Sequence, residues 1–205
     1  MAAPIRLGML TPSSNTCLEP MSVAMLRTLE PTVSVHFSRF PVSRIGLGRD
    51  ELAQFDFEPM IAAAQLLAQA EVAVIAWSGT SGSWLGIEND QELCRRLEEA
   101  TTVPTTTSTL ALLEALQVCG VRRYGLAVPY TKDVADKIVA TYARQGFDCV
   151  GRQHLDLSRN FDFDQVAPDE IAQLVGDAAP GSDAVAVVCT NLRAAPLVEA
   201  LEAAL

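Results

Sequence analysis

An α/β fold of two pseudo-symmetric lobes, each a parallel sheet covered by helices, is predicted by three features of this sequence. Strand-like and helix-like segments alternate from end to end, the pattern of parallel strands joined by helical crossovers. Two turns repeat: Val72–Ser81 and Ala184–Asn191 are both apolar runs that stop at small hydroxyl and amide residues, and aligning Thr80 with Thr190, 110 positions on, sets Gly79 opposite Cys189. A second pair agrees, since Leu7–Pro12 resembles Tyr124–Pro129 at a separation of 117.

The elements follow in order. Ile5–Leu10 is a short apolar strand that stops at Thr11-Pro12-Ser13-Ser14-Asn15-Thr16, and Leu18–Leu29 reads as a helix. Val33–Phe40 alternates like a strand, and Phe57–Ala70 is helical with a face rich in alanine and leucine. Val72–Trp77 is continuously apolar, as a strand buried on both faces requires. Glu88–Ala100 is a charged amphipathic helix, Val103–Thr107 a threonine-rich strand, and Leu110–Cys119 a helix that Gly120 ends. The pattern then restarts. Tyr124–Val128 and Cys149–Leu157 read as strands, with a helix over Lys132–Gln145 between them. Pro168–Ala178 is a helix whose proline suits a first turn. Ala184–Val188 is the second buried strand, and Leu192–Leu205 is read as a final helix. The hinge is placed at Gly120–Arg123, giving lobes of residues 1–120 and 121–205. By the repeat's own logic the second lobe lacks its last strand and helix after Leu205, through a shorter lobe or a truncated chain.

Composition bounds the function. The 205 residues are 49% hydrophobic, enough for a sizeable core. A formal net charge of −10 argues against nucleic-acid binding, which needs a basic face. It also means that any anion site must be built from local donors. The five cysteines (Cys17, Cys94, Cys119, Cys149, Cys189) are scattered, odd in number and without a C-x-x-C pair, so a reducing compartment is expected and a disulfide framework is not. His36 and His154 are far apart and form no metal-ligand cluster. No signal-peptide pattern is visible, and Met60–Trp77 is broken by Gln65, Gln69 and Glu71. A cytoplasmic protein free of membrane contact is expected, and an assembly of identical chains is compatible with the sequence.

Ligands of open α/β sheets bind at the carboxyl ends of the strands. Here those ends carry Ser13-Ser14-Asn15-Thr16, Gly79-Thr80-Ser81, Tyr130-Thr131 and Cys189-Thr190-Asn191. Helix N-termini offer unpaired N–H groups, so four such turns facing one cleft would hold a small carboxylate without arginine. Plain helix capping accounts for any one of them. Cys189 has two readings. A thiol at a helix N-terminus has a lowered pKa and suits proton transfer near neutrality. A free cysteine at a strand end is also a common small buried hydrophobe. A lone thiol across from Gly79 suggests proton delivery to one face of a substrate. Arg39 and Arg44 read as solvated surface residues. Trp77 and Trp84 bracket the glycine-rich turn, as pocket walls or as core.

These motifs, with Leu192-Arg193 after the last of them, resemble the Asp/Glu racemase superfamily in its maleate isomerase and arylmalonate decarboxylase branch. The resemblance covers nearly the whole chain. It implies two α/β lobes that enclose a small carboxylate substrate and work without cofactor or metal. It further implies that Cys189 is the catalytic cysteine of the second lobe. Asn15, Thr80 and Ser81 would bind the substrate carboxylate, Tyr130 and Asn160 would hydrogen-bond the substrate, and Thr190 and Asn191 of the last turn are expected to contact it as well. Racemases and maleate isomerases carry a cysteine where this chain has Gly79, whereas Gly-Thr-Ser resembles the decarboxylase. The first and last motifs look more like maleate isomerase. Family members also continue for a strand and a helix beyond the position of Leu205. The expected function is a cofactor-independent enzyme acting on a small carboxylic or dicarboxylic acid through an enediolate-like intermediate, with decarboxylation preferred because it needs one acid. The alternatives are a cis–trans isomerase using Cys189 as nucleophile and a non-catalytic carboxylate-binding protein.

Overall fold

The computed structural model describes residues 4–205. The first part runs β1 (Ile5–Pro12), α1 (Leu18–Leu26) with a 3₁₀ turn at Arg27–Leu29, β2 (Val33–Phe40), α2 (Arg49–Ala53), α3 (Phe57–Gln69), β3 (Val74–Trp77), α4 (Gly82–Leu85), α5 (Ile87–Thr101), β4 (Thr105–Thr107) and α6 (Ser108–Val118). The second runs β5 (Arg123–Val128), α7 (Lys132–Arg144), β6 (Asp148–His154), a 3₁₀ segment Asn160–Gln165, α8 (Pro168–Ala178), β7 (Ala184–Val187), a 3₁₀ turn Ala195–Leu197 and α9 (Val198–Ala204).

Two sheets result, in orders β2-β1-β3-β4 and β6-β5-β7. Every pairing is parallel, from Ile5 against Val33 in the first sheet to Tyr124 against Ala184 in the second. β1 and β5 hold the same place, as do β2 and β6, and β3 and β7. The expected fold class is therefore the observed one. The three-stranded second sheet has no counterpart of β4 among the described residues.

Helical periodicity explains the layers. α8 buries Ile171, Leu174, Val175 and Ala178, and α7 buries Val134, Ala135, Ile138, Thr141 and Tyr142, each one stripe of a 3.6-residue repeat. Gly125 and Gly151 let α8 approach the sheet closely, because a Cβ on either would overlap the Ala178 carbonyl oxygen. Among the described residues no helix is long and apolar enough to cross a membrane.

The last helix departs from expectation. It begins at Val198, not Leu192. Pro196 has no N–H to continue a helix begun at Leu192, so the chain makes a turn and a 3₁₀ segment first. The short α2 lies in a segment to which the sequence reading assigns no element, and α4 follows directly on the Gly79–Ser81 turn.

Candidate active site

The central strands of the two sheets bring their carboxyl ends together. Pairing continues just past them, with Ser78 N–H donating to the Leu10 carbonyl and Val188 N–H to that of Ala127, both at 3.1 Å. The turns after β3, β5 and β7 then line one cavity, with Gly79, Thr80 and Ser81 on one side and Tyr130, Cys189 and Thr190 on the other. Asn160 and Asn191 complete its polar lining. Pro12, Val42, Ile45, Phe55, Trp77 and Trp84 supply apolar walls. The cavity has about 20 Å³ for the centre of a water molecule, room for about one. A dicarboxylate enters only if the walls move.

The polar groups are already tied to one another across the two halves. The Thr80 and Tyr130 hydroxyls share a hydrogen bond of 2.9 Å. Thr190 Oγ1 donates to the Ser78 carbonyl at 2.9 Å and accepts from Asn15 Nδ2 at 3.3 Å. Ser81 Oγ accepts from Trp77 Nε1 at 3.1 Å, which leaves the serine hydrogen available to a ligand. Trp84 lines the cavity with a buried indole N–H that has no protein partner, a donor the sequence reading did not single out.

The first turn is placed differently from the other three. Its Ser13 and Ser14 hydroxyls both donate to the Val42 carbonyl, and Ser14 Oγ accepts from Asn160 Nδ2 at 2.8 Å. Asn15 is buried but does not line the cavity. Its Oδ1 accepts from the amides of Cys17 and Leu18 at 3.0 and 2.8 Å, so it fastens the start of α1 and reaches the cavity only through Thr190. Asn191 is braced in the same way, accepting from the Thr16 and Cys17 amides and donating to the Asn160 carbonyl at 2.6 Å. Arg39 is held by Glu19 and the Ser13 carbonyl, and Arg44 by Ser158, both outside the cavity.

Cys189 has the expected neighbours but not the expected ionisation. No α-helix starts at its turn, and its side chain is buried. Burial pushes the thiol up to about 12, against the opposing pull of the Tyr130 hydroxyl and the amides of Asn191 and Leu192. The expectation of a lowered pKa is thus overturned, because loss of hydration outweighs a few nearby donors. Among the described residues no lysine, arginine, histidine or carboxylate lines the cavity.

Beneath the Gly79–Ser81 turn lies a polar cluster that the sequence reading missed. Asp90 is fully buried, with Oδ2 accepting from Thr107 Oγ1 at 2.5 Å and Oδ1 unpartnered. It presses against the start of α4, since a Cβ on Gly82 would overlap its carboxyl group. Ser83 bonds Tyr142 at 2.8 Å and Thr109 at 3.3 Å, joining this cluster to the second half. Burial raises the Asp90 carboxyl from 3.8 to about 6, with Thr107 and Thr109 opposing. A raised carboxyl pKa favours the protonated native state. That contribution is fully present below pH 3.8 and lost as pH rises through about 6, amounting to about 3 kcal/mol. Asp90→Asn is therefore expected to gain stability relative to the parent as pH rises from 4 to 7, read as the difference in Tm across that range. A difference that stays constant or shrinks would remove Asp90 as the source.

Comparisons with known proteins agree with this architecture. The maleate isomerase of Pseudomonas putida is 29% identical over 97% of this chain and 83% of its own. The arylmalonate decarboxylase of Bordetella bronchiseptica is 31% identical over 75% of this chain and 66% of its own. The crystal structure of the maleate isomerase from Pseudomonas putida S16 superposes with a TM-score of 0.89, at 22% identity, over 98% of this chain and 85% of that one. The chain is an enzyme of the isomerase or decarboxylase type these relatives represent. A sequence model described as arylmalonate decarboxylase matches residues 31–205, everything from β2 onward, and the chain belongs to the arylmalonate decarboxylase family.

Proposed function

We propose that this enzyme decarboxylates a small malonate-type dicarboxylic acid bearing an apolar group, with Cys189 as its single proton donor. The observation that carries the reading is the pairing of Cys189 with Gly79 in one cavity, a thiol on one side and none on the other. The retained carboxylate accepts from Ser81 and from the Thr80–Tyr130 pair. The apolar group lies against Trp84, Phe55 and Ile45. Loss of CO₂ leaves the bond's electron pair on the α-carbon, delocalised into the retained carboxylate as an enediolate. Hydroxyl donors fixed in advance stabilise that charge where it develops. The Cys189 S–H then transfers its proton to the α-carbon, forming a C–H bond, and water reprotonates the thiolate. Asn15, Thr190, Asn160 and Asn191 hold these groups in register.

A thiol pushed up to about 12 carries its proton at rest and returns to that state readily after each turnover. The same property weighs against Cys189 as a nucleophile on a maleate-like alkene, because that role needs a thiolate and no basic side chain lines the cavity. Similarity to maleate isomerase along almost the whole chain keeps that second reading in the test. The experiment supplies phenylmalonate, alkylmalonates and maleate in D₂O. Expected are CO₂ release from a substituted malonate, one deuterium in the product, and no change in enzyme mass. Conversion of maleate to fumarate with a cysteine adduct in the intact mass, and no CO₂ from any malonate, would replace decarboxylation with isomerisation.

A further inference from the structure

We infer that Trp77 keeps position 79 bare: its indole fills the space that a side chain there would need, and so keeps a proton donor off the face opposite Cys189. The inference rests on the decarboxylase reading for its chemistry, and on packing alone for its steric part. A Cβ on Gly79 would overlap Cζ2 and Cη2 of Trp77 and lie 2.7 Å from Cε2. Gly79 is not among the glycines held at positive φ, which are Gly86, Gly120, Gly146 and Gly181. Its backbone therefore does not demand glycine; the neighbouring ring does.

That ring is not the loose end of a flexible side chain. Trp77 is 1% exposed, its Nε1–H is bound to Ser81 Oγ, and Phe40 packs on it with ring centroids 5.0 Å apart. The indole N–H is thereby committed to Ser81 and gives no proton to a substrate. What remains on this side, besides the Thr80 and Ser81 hydroxyls that face the carboxylate, is an aromatic surface and a bare glycine. An enediolate held between Ser81 and Cys189 meets one acidic hydrogen, from the second half, and closes with a single handedness. Gly79→Cys alone is consequently not a route to two-faced chemistry in this chain, although Cys189 lies across the cavity.

The test crosses two positions. Gly79→Ala in the parent is expected to lower Tm by about 5–10 °C through overpacking. In a Trp77→Leu background the same change is expected to lower it by under about 2 °C. Equal losses in the two backgrounds would overturn the steric part without any substrate. For the chemistry, Gly79→Cys is compared with Trp77→Leu/Gly79→Cys on a prochiral malonate. The single variant is expected to keep the parent's product handedness. The double variant is expected to make product of reduced or inverted enantiomeric excess and to exchange the product's α-hydrogen with D₂O at least about ten times faster than the parent. Trp77→Leu alone should do neither, which separates a new donor from a looser pocket. A folded double variant with the parent's handedness and exchange rate overturns the stereochemical part. If the parent releases CO₂ from no malonate, the decarboxylase reading fails and the handedness claim fails with it, while the Tm comparison still decides whether Trp77 keeps position 79 bare.

Discussion

Cys189→Ser is expected to lower kcat by about 10³-fold or more with a much smaller change in KM. Among the described residues that line the cavity, the thiol is by far the strongest acid, ahead of the hydroxyls, the amides and the Trp84 indole N–H. A serine hydroxyl at the same place is a far weaker acid, and the Thr80, Ser81 and Tyr130 donors that hold the carboxylate are untouched. Binding should therefore survive while the chemical step does not. The pH profile carries a second, sharper expectation. A lowered pKa would make activity fall as pH rises through neutrality, since the proton donor would ionise. With the thiol pushed up to about 12, the donor stays loaded and no Cys189 limb should cut the rate between pH 6 and 9. Cys94→Ala and Cys119→Ala, which lie on α5 and next to the end of α6, serve as controls and should leave kcat within about twofold. Near-parent turnover in Cys189→Ala would take the thiol out of the mechanism.

Some parts of this molecule are written locally and others are not. Val33–Phe40 and Pro168–Ala178 run in the structure with the bounds their patterns predict, because alternation and a first-turn proline are properties of short windows. That Gly79 and Cys189 would line one cavity was legible from the internal repeat. The ionisation of Cys189 was not, since it depends on how deeply the whole second half buries the turn. Asp90 was hidden for a related reason. On a helix as charged as α5 it reads as one more solvated acid. Yet Ile87, Asp90, Leu93, Leu97 and Thr101 form one buried stripe, and a carboxylate on the apolar face of an amphipathic helix is the signal that marks it. The Trp77–Gly79 exclusion has no sequence signature at all, because two residues two positions apart meet in this way only through a particular turn.

Asn191→Ala shows where a motif residue and a ligand-binding residue part company. The motif places Asn191 beside the Cys189 thiol and suggests contact with substrate. In the folded chain its amide oxygen accepts from Thr16 and Cys17 at 3.0 and 3.1 Å, and its nitrogen donates to the Asn160 carbonyl at 2.6 Å. Asn191 and Asn160 are 1% and 5% exposed, so water does not replace the bond between them. Alanine strands the Asn160 carbonyl and leaves the amide of the exposed Thr16 to solvent, and Cys17 keeps only its bond to Asn15. A stranded buried group costs about 1–3 kcal/mol, so a loss of that order and a fall in Tm of about 3–10 °C are expected. The same three bonds fasten the Cys189 turn to the start of α1 and to the Asn160 segment. Releasing them lets the thiol drift relative to the Thr80–Tyr130 pair, and a displacement of about 1 Å is enough for a loss of about 10²-fold in kcat. A residue that merely contacted substrate would give a different result: raised KM, unchanged Tm and rescue at high substrate concentration. If Asn191→Ala melts with the parent and recovers full turnover at saturation, the amide belongs to the binding surface rather than to the frame that aims Cys189.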